Sequence, residues 1–310
     1  MNSLGLARNC MRGDLMNDLT INSRSFWKQY GFAYLLILPT VAYLVCFQLY
    51  PLLESVRLSF TDLTFLRPAS GKYIGLSNYI KLLTDDSNFW PIFHHSILWV
   101  GGSTLLQFII GLPAALILNS KLPGRPVWRG LLMIPWVTPV VVMGLIWKWI
   151  YDGDYGLLNY YLHTKMVWLG NEHTVWPSLL LASMWKGFPY VTLMFLAGLQ
   201  GIPDDLYEAS HIDGCNAWKQ FSYITLPLLT PVMFVTGLIS IITTWTKFEM
   251  IWVLTAGGPG CTTSILPTYI YTKSFQYFQL GLGSAVATIS TLVVLGIVLI
   301  YFRVFDVKER

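Results

Sequence analysis

Charge is what this 310-residue sequence has least of. Asp, Glu, Lys and Arg make up 12% of it, half of the roughly 25% that a soluble domain carries. That scarcity excludes an ordinary water-facing surface. With 54% hydrophobic residues and a mean hydropathy of +0.54, it points to lipid as the solvent, because lipid-facing surface must be apolar as well as the core. Cysteine is sparse too: Cys10, Cys46, Cys215 and Cys261 show no CxxC spacing and are too scattered for a disulfide framework, so they read as free thiols. The histidines are unclustered. His94 and His95 are adjacent and face different sides of a helix, so no metal site is expected. Basic tracts of the kind that bind nucleic acid are absent. No GxxxxGK[ST] occurs, since Gly71-Lys72 lacks the upstream glycine and the downstream hydroxyl residue. The chain is therefore not expected to hydrolyse ATP by that route. The Asp and Glu residues sit mostly in loops, with only Glu249 near the end of an apolar segment. No cluster of acids, bases or metal ligands forms, which argues against an enzyme with a bound cofactor. Inverted repeats and intramembrane carboxylates, the marks of a stand-alone secondary carrier, are missing as well.

What is present is a set of long apolar segments. They run from about Gly31 to Tyr50 (ending at Pro51), Phe93 to Leu118, Val127 to Tyr151, Trp176 to Leu199, Leu228 to Phe248 and Leu282 to Phe302. At 1.5 Å per residue each is long enough to cross a hydrocarbon core of about 30 Å. The expected fold is an all-α polytopic membrane bundle of about six spans. Residues 1–30 form a polar leader ahead of it, the first apolar run begins near Phe32, and no cleavable signal peptide is evident.

Lys and Arg density orients the bundle. Arg8, Arg12, Arg24 and Lys28 in the leader, Lys121, Arg125 and Arg129 in the second connection, Lys219, and Arg303, Lys308 and Arg310 in the tail share one side if both termini are cytoplasmic. Arg57, Arg67, Lys72, Lys81, Lys165 and Lys273 are spread over longer loops opposite, so the rule that cytoplasmic loops are basic puts both termini inside. Trp147, Trp149 and Tyr151, with Trp168 and Trp176, read as anchors at the membrane interface. Gly75 to Tyr79 reads as part of a short folded flap, and Thr255 to Gly260 as a turn cluster. Tyr269-Ile270-Tyr271 with Phe275 reads as an amphipathic stretch at the outer interface.

A polar interlude from Gly201 to Leu229 separates two of these segments. Pro203 suits a first helical turn, and Asp204 and Asp205 suit its positive end. Gly214 breaks that helix, a second begins near Asn216 and runs to Ile224, and Pro227 marks the entry to the next span. A helix-Gly-helix knob of this kind fits a cleft on a partner protein. The alternative is a helix lying on lipid, but that would want basic residues where Asp204, Asp205 and Glu208 stand.

Glu208-Ala209-Ser210, three residues, Gly214, nine residues, Ile224, one residue and Leu226-Pro227 together resemble the EAA loop of ATP-binding-cassette importer permeases, with Ser210 for the second alanine. Other stretches are similar to the sugar-importer branch of that family, the maltose and glycerol-3-phosphate permease type. These are Ile134-Pro135-Trp136 with Pro139, Trp185 to Tyr190, and Leu254 to Pro259. The likeness covers roughly residues 31–310. It implies a type I importer transmembrane domain with a cytoplasmic coupling helix, in a bacterial or archaeal cell membrane. The implied partners are a second homologous permease in a heterodimer, two ABC ATPase subunits that hold ATP and Mg, and an external solute-binding protein. Asp205, Glu208, Ala209, Ser210, Asp213, Gly214 and Ala217 would then meet the ATPase.

Ser240, Thr244 and Lys247 fall at i, i+4 and i+7, one stripe of a span, with Thr243 beside it. Such hydroxyls either knit helices together or line a solute path. The resemblance adds Gly187 and Tyr190, and Trp136 and Val140, as substrate-binding positions. Trp136 and Tyr190 suit stacking on sugar C–H faces, and Ser240 and Thr244 suit fixing hydroxyls. Thr244 and Lys247 stand where the maltose type has amides, Trp136 where it has tyrosine, and Val140 where it has a hydroxyl residue. The implied solute is therefore a carbohydrate other than that relative's, or a related polyol. Lys186 and Lys247 leave room for an anionic or hydroxyl-rich ligand, a phosphorylated polyol being one alternative.

Overall fold

The computed structural model describes residues 23–67, 69–120 and 123–309. Cys10, Arg8, Arg12, Lys121 and Arg310 lie outside them. The described residues fall into two compact units divided between Ser55 and Val56. No strand forms among the described residues, only an isolated bridge between Thr61 and Tyr73. Cys46, Cys215 and Cys261 are free thiols.

The first unit is built on α1 (Ser23–Leu44), a π-helical turn over Val45–Leu49, and the start of α2 (Tyr50–Ser59). The first span, expected to end at Pro51, runs on to Ser59. The wide π turn precedes the proline, so the missing N–H falls where the hydrogen-bond ladder is already shifted.

In the second unit, short α3 (Ser77–Ile80) follows the flap. Two long parallel helices, α4 (Phe89–Asn119) and α8 (Glu172–Gln200), then form the central pair. Between them come α5 (Arg125–Val137), α6 (Val140–Ile150) and α7 (Leu157–Leu162). Small residues let α4 and α8 approach closely: a Cβ at Gly111 would stand 2.7 Å from Val191 Cγ1. That contact and the one between Gly102 and Leu180 put Asn119 and Gln200 at one end of the bundle, and Phe89 and Glu172 at the other. The core divides accordingly. Ala115, Leu118, Phe195, Leu199, Ile202 and Leu229 fill one end, while Phe89, Ile92, Val175, Leu179, Ile265 and Leu266 fill the other.

The chain continues through α9 (Asp204–Ile212), α10 (Ala217–Gln220) and, after a π turn over Phe221–Thr225, α11 (Leu226–Thr246). Next come α12 (Glu249–Thr255), α13 (Leu266–Tyr271) and α14 (Leu280–Glu309). Among the described residues, five helices are long and apolar enough to cross a membrane: Tyr34–Ser59, Phe89–Asn119, Glu172–Gln200, Ala217–Thr246 and Leu280–Val304. The α5–α6 pair, bent by 91°, makes a sixth if counted as one span.

Several aromatic residues sit deeper than expected. Trp147 and Tyr151 are 9% and 3% exposed, and the Tyr151 hydroxyl donates to the Ser178 carbonyl. Trp149 alone of that group faces outward. Tyr269 is buried as well, not spread on an interface. Its hydroxyl donates to the Asp86 carboxylate, which also pairs with Lys273 at 3.0 Å. Leu266 N–H donates to Ser96 Oγ at 2.8 Å, so α13 is tied into the bundle. Asn159 holds the 151–170 loop: its Nδ2 donates to the Gly153 and Met166 carbonyls, and its Oδ1 accepts from Trp168 Nε1 at 2.8 Å.

Candidate functional site: a central cavity and a terminal knob

The cavity begins with a break. Pro139 has no N–H to continue α5, and Thr138 before it adopts the extended backbone that a following proline demands. The chain turns 91° there. That leaves carbonyls at the end of α5 without intrahelical partners, at the negative end of its dipole. Lys186 of α8 fills the role. Its ammonium donates to the carbonyls of Pro135 at 3.2 Å, of Trp136 at 2.7 Å, and of Thr138. An ammonium has three protons to donate, and this geometry uses them. Lys186 lines the cavity, and its ammonium is also held by the backbone of the break.

Beside the break lies a cavity of about 370 Å³, inside the roughly 300–1,000 Å³ range of small-molecule sites. Trp136 and Val140 line it from the break, Gly187 and Tyr190 from α8, and Ser240, Thr244 and Lys247 from α11 and its end. Every residue expected to touch solute thus meets the same space. The Trp136 and Tyr190 rings stack with centroids 6.3 Å apart and 18° between planes. Ser240 is buried, and its hydroxyl has no hydrogen-bond partner among the described residues. Thr243 is turned back, its hydroxyl donating to the Ile239 carbonyl at 2.8 Å. Lys247 and Glu249 both line the cavity, so its rim carries charges of opposite sign.

Lys186 and Thr243 line the cavity as well, and Trp99 and Gln107 of α4, with Ser183 and Met250, complete the lining; sequence reasoning passed over these four. Their signal was available: Trp99, Ser103 and Gln107 recur at i, i+4 and i+8, and a glutamine inside a span is a functional candidate by default. Gly187 has a second reason to be glycine. A Cβ there would lie 2.3 Å from the Gln107 amide, so the side chain of α4 rests directly on the backbone of α8. No group of three or more His, Cys, Asp or Glu among the described residues is arranged to hold a metal.

The second feature is the knob at the Gln200 end. Asp205, Glu208, Ala209, Asp213, Gly214 and Ala217 are exposed on it. Gly214 has φ +73°, the left-handed conformation that a helix end favours in glycine. Asn216 caps α10 by accepting from Lys219 N–H at 2.9 Å. Ser210 faces inward instead. It is 7% exposed, donates to the Tyr207 carbonyl at 2.7 Å, and accepts from Gln220 Nε2 at 2.9 Å. It fastens the two short helices together and is withheld from the outer surface. The second knob helix, expected to stop at Ile224, passes without interruption into the span. The second knob helix is therefore joined to α11, and with it to Ser240 and Thr244, as one continuous helix. Leu206, Ile212, Trp218 and Tyr223 are exposed around the knob.

A helical membrane bundle with a solute-sized cavity and a helix-Gly-helix knob fits a transport protein. Comparison with known proteins narrows the class. The family of binding-protein-dependent transport system inner membrane components matches residues 107–309. The trehalose/maltose transport system permease protein MalF of Thermococcus litoralis is 36% identical over 295 residues, covering 93% of this chain and 98% of that one. The sulfoquinovosyl glycerol transport system permease protein SmoG of Agrobacterium fabrum is 32% identical over 281 residues, covering 89% and 91%. The fold matches a chain of a bacterial ABC transporter that imports the acidic polysaccharide alginate, with TM-score 0.78 at 22% identity, over 90% of this chain and 96% of that one. The chain belongs to the binding-protein-dependent transport family and is a transmembrane permease subunit of an ABC importer.

Proposed function

We propose that this subunit forms half of the path for a carbohydrate, a mono- or oligosaccharide or related polyol, and that the 370 Å³ cavity holds it in transit. One observation carries the reading. Trp136, Tyr190 and Ser240 come from three separate stretches of chain and line a single cavity, with two stacked rings beside a buried hydroxyl that lacks a partner. Aromatic faces suit sugar C–H surfaces, and a free hydroxyl suits a sugar hydroxyl. Two curated relatives have names that concern trehalose/maltose and sulfoquinovosyl glycerol, which supports the solute class.

In this reading the knob docks on an ATPase through Asp205, Glu208, Ala209, Asp213, Gly214 and Ala217, with Ser210 holding its shape. ATP and Mg bind on two partner ATPase subunits, and this chain does no chemistry of its own. A second, homologous permease completes the path, and an external binding protein delivers the solute. Residues 1–30 form a cytoplasmic leader, residues 31–310 the transmembrane domain, and both termini face the cytoplasm, in line with the density of Lys and Arg.

The test is uptake by the assembled complex in vesicles, supplied with a panel of labelled mono- and disaccharides. At least one sugar is expected to accumulate with ATP, and Tyr190→Ala to lower its rate tenfold or more while the ATPase still co-purifies. Parent-like uptake by Tyr190→Ala would remove the cavity from the path.

A further inference from the structure

The α4 wall of the cavity holds polar groups that no role described so far uses. Trp99 is 3% exposed, and its indole N–H has no hydrogen-bond partner among the described residues. Other indoles in this protein are satisfied: Trp168 donates to Asn159 Oδ1, Trp176 to the Thr262 carbonyl at 3.0 Å, and Trp245 to Ser290 Oγ at 2.9 Å. Trp147 shares the lack of a partner but does not line the cavity. Gln107, two helical turns on from Trp99, is 7% exposed, and its amide makes one long bond of 3.4 Å to the Ser183 carbonyl. Ser240 of α11 lines the same cavity, and its hydroxyl is equally unpartnered.

Buried donors and acceptors are normally paired, and each one left open is costly. Several open groups on one cavity are best accounted for by a ligand that closes them. The chemistry of the set is specific: an indole N–H only donates, an amide does both, and a serine hydroxyl does either. An anion would meet the Gln107 carbonyl oxygen, so the set suits groups that donate and accept together.

We propose that Trp99 and Gln107 are specificity-determining residues that, with Ser240, read one hydroxyl or a vicinal pair of hydroxyls on the transported solute. This rests on the cavity being the carbohydrate site. Gly187 takes part indirectly, because only a residue without a Cβ lets the Gln107 amide lie where it does.

The experiment uses the assembled complex in vesicles and the sugar it takes up fastest from the panel, together with monodeoxy analogues of that sugar. The parent is expected to take up one analogue at least tenfold more slowly than the full sugar. Trp99→Phe keeps the ring and removes the N–H, so it should lower uptake of the full sugar to the analogue's level and leave the analogue unchanged. Gln107→Leu should erase the preference for the same or the neighbouring hydroxyl. Co-purification with the ATPase checks assembly, and Gln107→Glu serves if either variant fails to assemble, with the same loss of preference expected. Variants that keep the parent's preference among analogues, or that slow every analogue by one common factor, overturn the inference while the cavity reading stands. A parent complex that takes up no sugar of the panel removes the cavity reading itself, and this inference with it.

Discussion

The ammonium of Lys186 donates to the carbonyl oxygen of Trp136 at 2.7 Å, binding the central helix α8 to the broken end of α5. The same ammonium holds Pro135 and Thr138, so one cation stabilises a right-angled turn inside the bundle. One residue along α8, Gly187 lines the cavity, and Tyr190 stacks on Trp136. The shape of the break and the position of the aromatic pair are therefore set by one contact.

Lys186→Met should leave those carbonyls unpartnered. Hydrogen bonds to charged groups contribute roughly 1.5–3 kcal/mol, so the complex should melt at lower temperature and uptake should fall about tenfold. Lys186→Arg, which keeps the charge and several donors, should recover part of both. Thermal unfolding of the purified complex and vesicle uptake check the pair of outcomes.

Gly187→Ala should act through Gln107. The added methyl would stand 2.3 Å from the amide, so the glutamine side chain must leave its place. Uptake should drop sharply in the single variant. Gly187→Ala combined with Gln107→Ala should lose less than the two single effects summed, the non-additivity expected of residues in contact. Uptake rates for the four members of the cycle decide it.

On the knob, Glu208→Lys reverses an exposed charge, and Gly214→Val forces a branched side chain into a backbone with φ +73°. Both should release the ATPase during purification. Ser210→Ala removes the acceptor for Gln220, should cost on the order of 1 kcal/mol, and should weaken retention without abolishing it. Protein ratios in the purified complex report all three.

Asp86 supplies a pH dependence. Burial alone would raise its pKa, but hydrogen bonds from Tyr269 and Lys273 outweigh it and hold the carboxyl below its ordinary value of 3.8. A depressed pKa stabilises the folded state above the unfolded value and loses that contribution as pH falls through the folded one. Asp86→Asn should therefore unfold at lower temperature than the parent at pH 7, by on the order of 1–3 kcal/mol for the unpaired Lys273. The gap should begin to narrow as pH falls below the ordinary value of 3.8 and close as it falls through the lower folded value, where the parent carboxyl takes up its proton. Melting curves across that range test the sign.

How much of this was legible in the sequence depended on how local the signal was. The stripe Ser240, Thr244, Lys247 needs only helical periodicity, and the glycine and spacing of the Glu208 loop lie within one short segment. Pro51 and Tyr269 misled for the opposite reason. A π turn upstream of Pro51 and a carboxylate far from Tyr269 in sequence decided their places. Ser210 stands in the loop pattern among the residues that would meet the ATPase, and only folding brings Gln220, ten residues on, into contact with it. Lys186 read as a free cation because its partners are main-chain carbonyls exposed by a break in another helix. Trp99 and Gln107 are visible as polar residues in a span, yet only packing of α4 against α8 brings them to the same cavity as Ser240.

The most direct measurement is a cryo-EM map of the assembled importer trapped with its sugar in transit. Density for the sugar against the stacked Trp136 and Tyr190 rings, within hydrogen-bond reach of Ser240, is the predicted result. An empty cavity in this subunit, with the sugar held wholly by the other permease, would contradict the account.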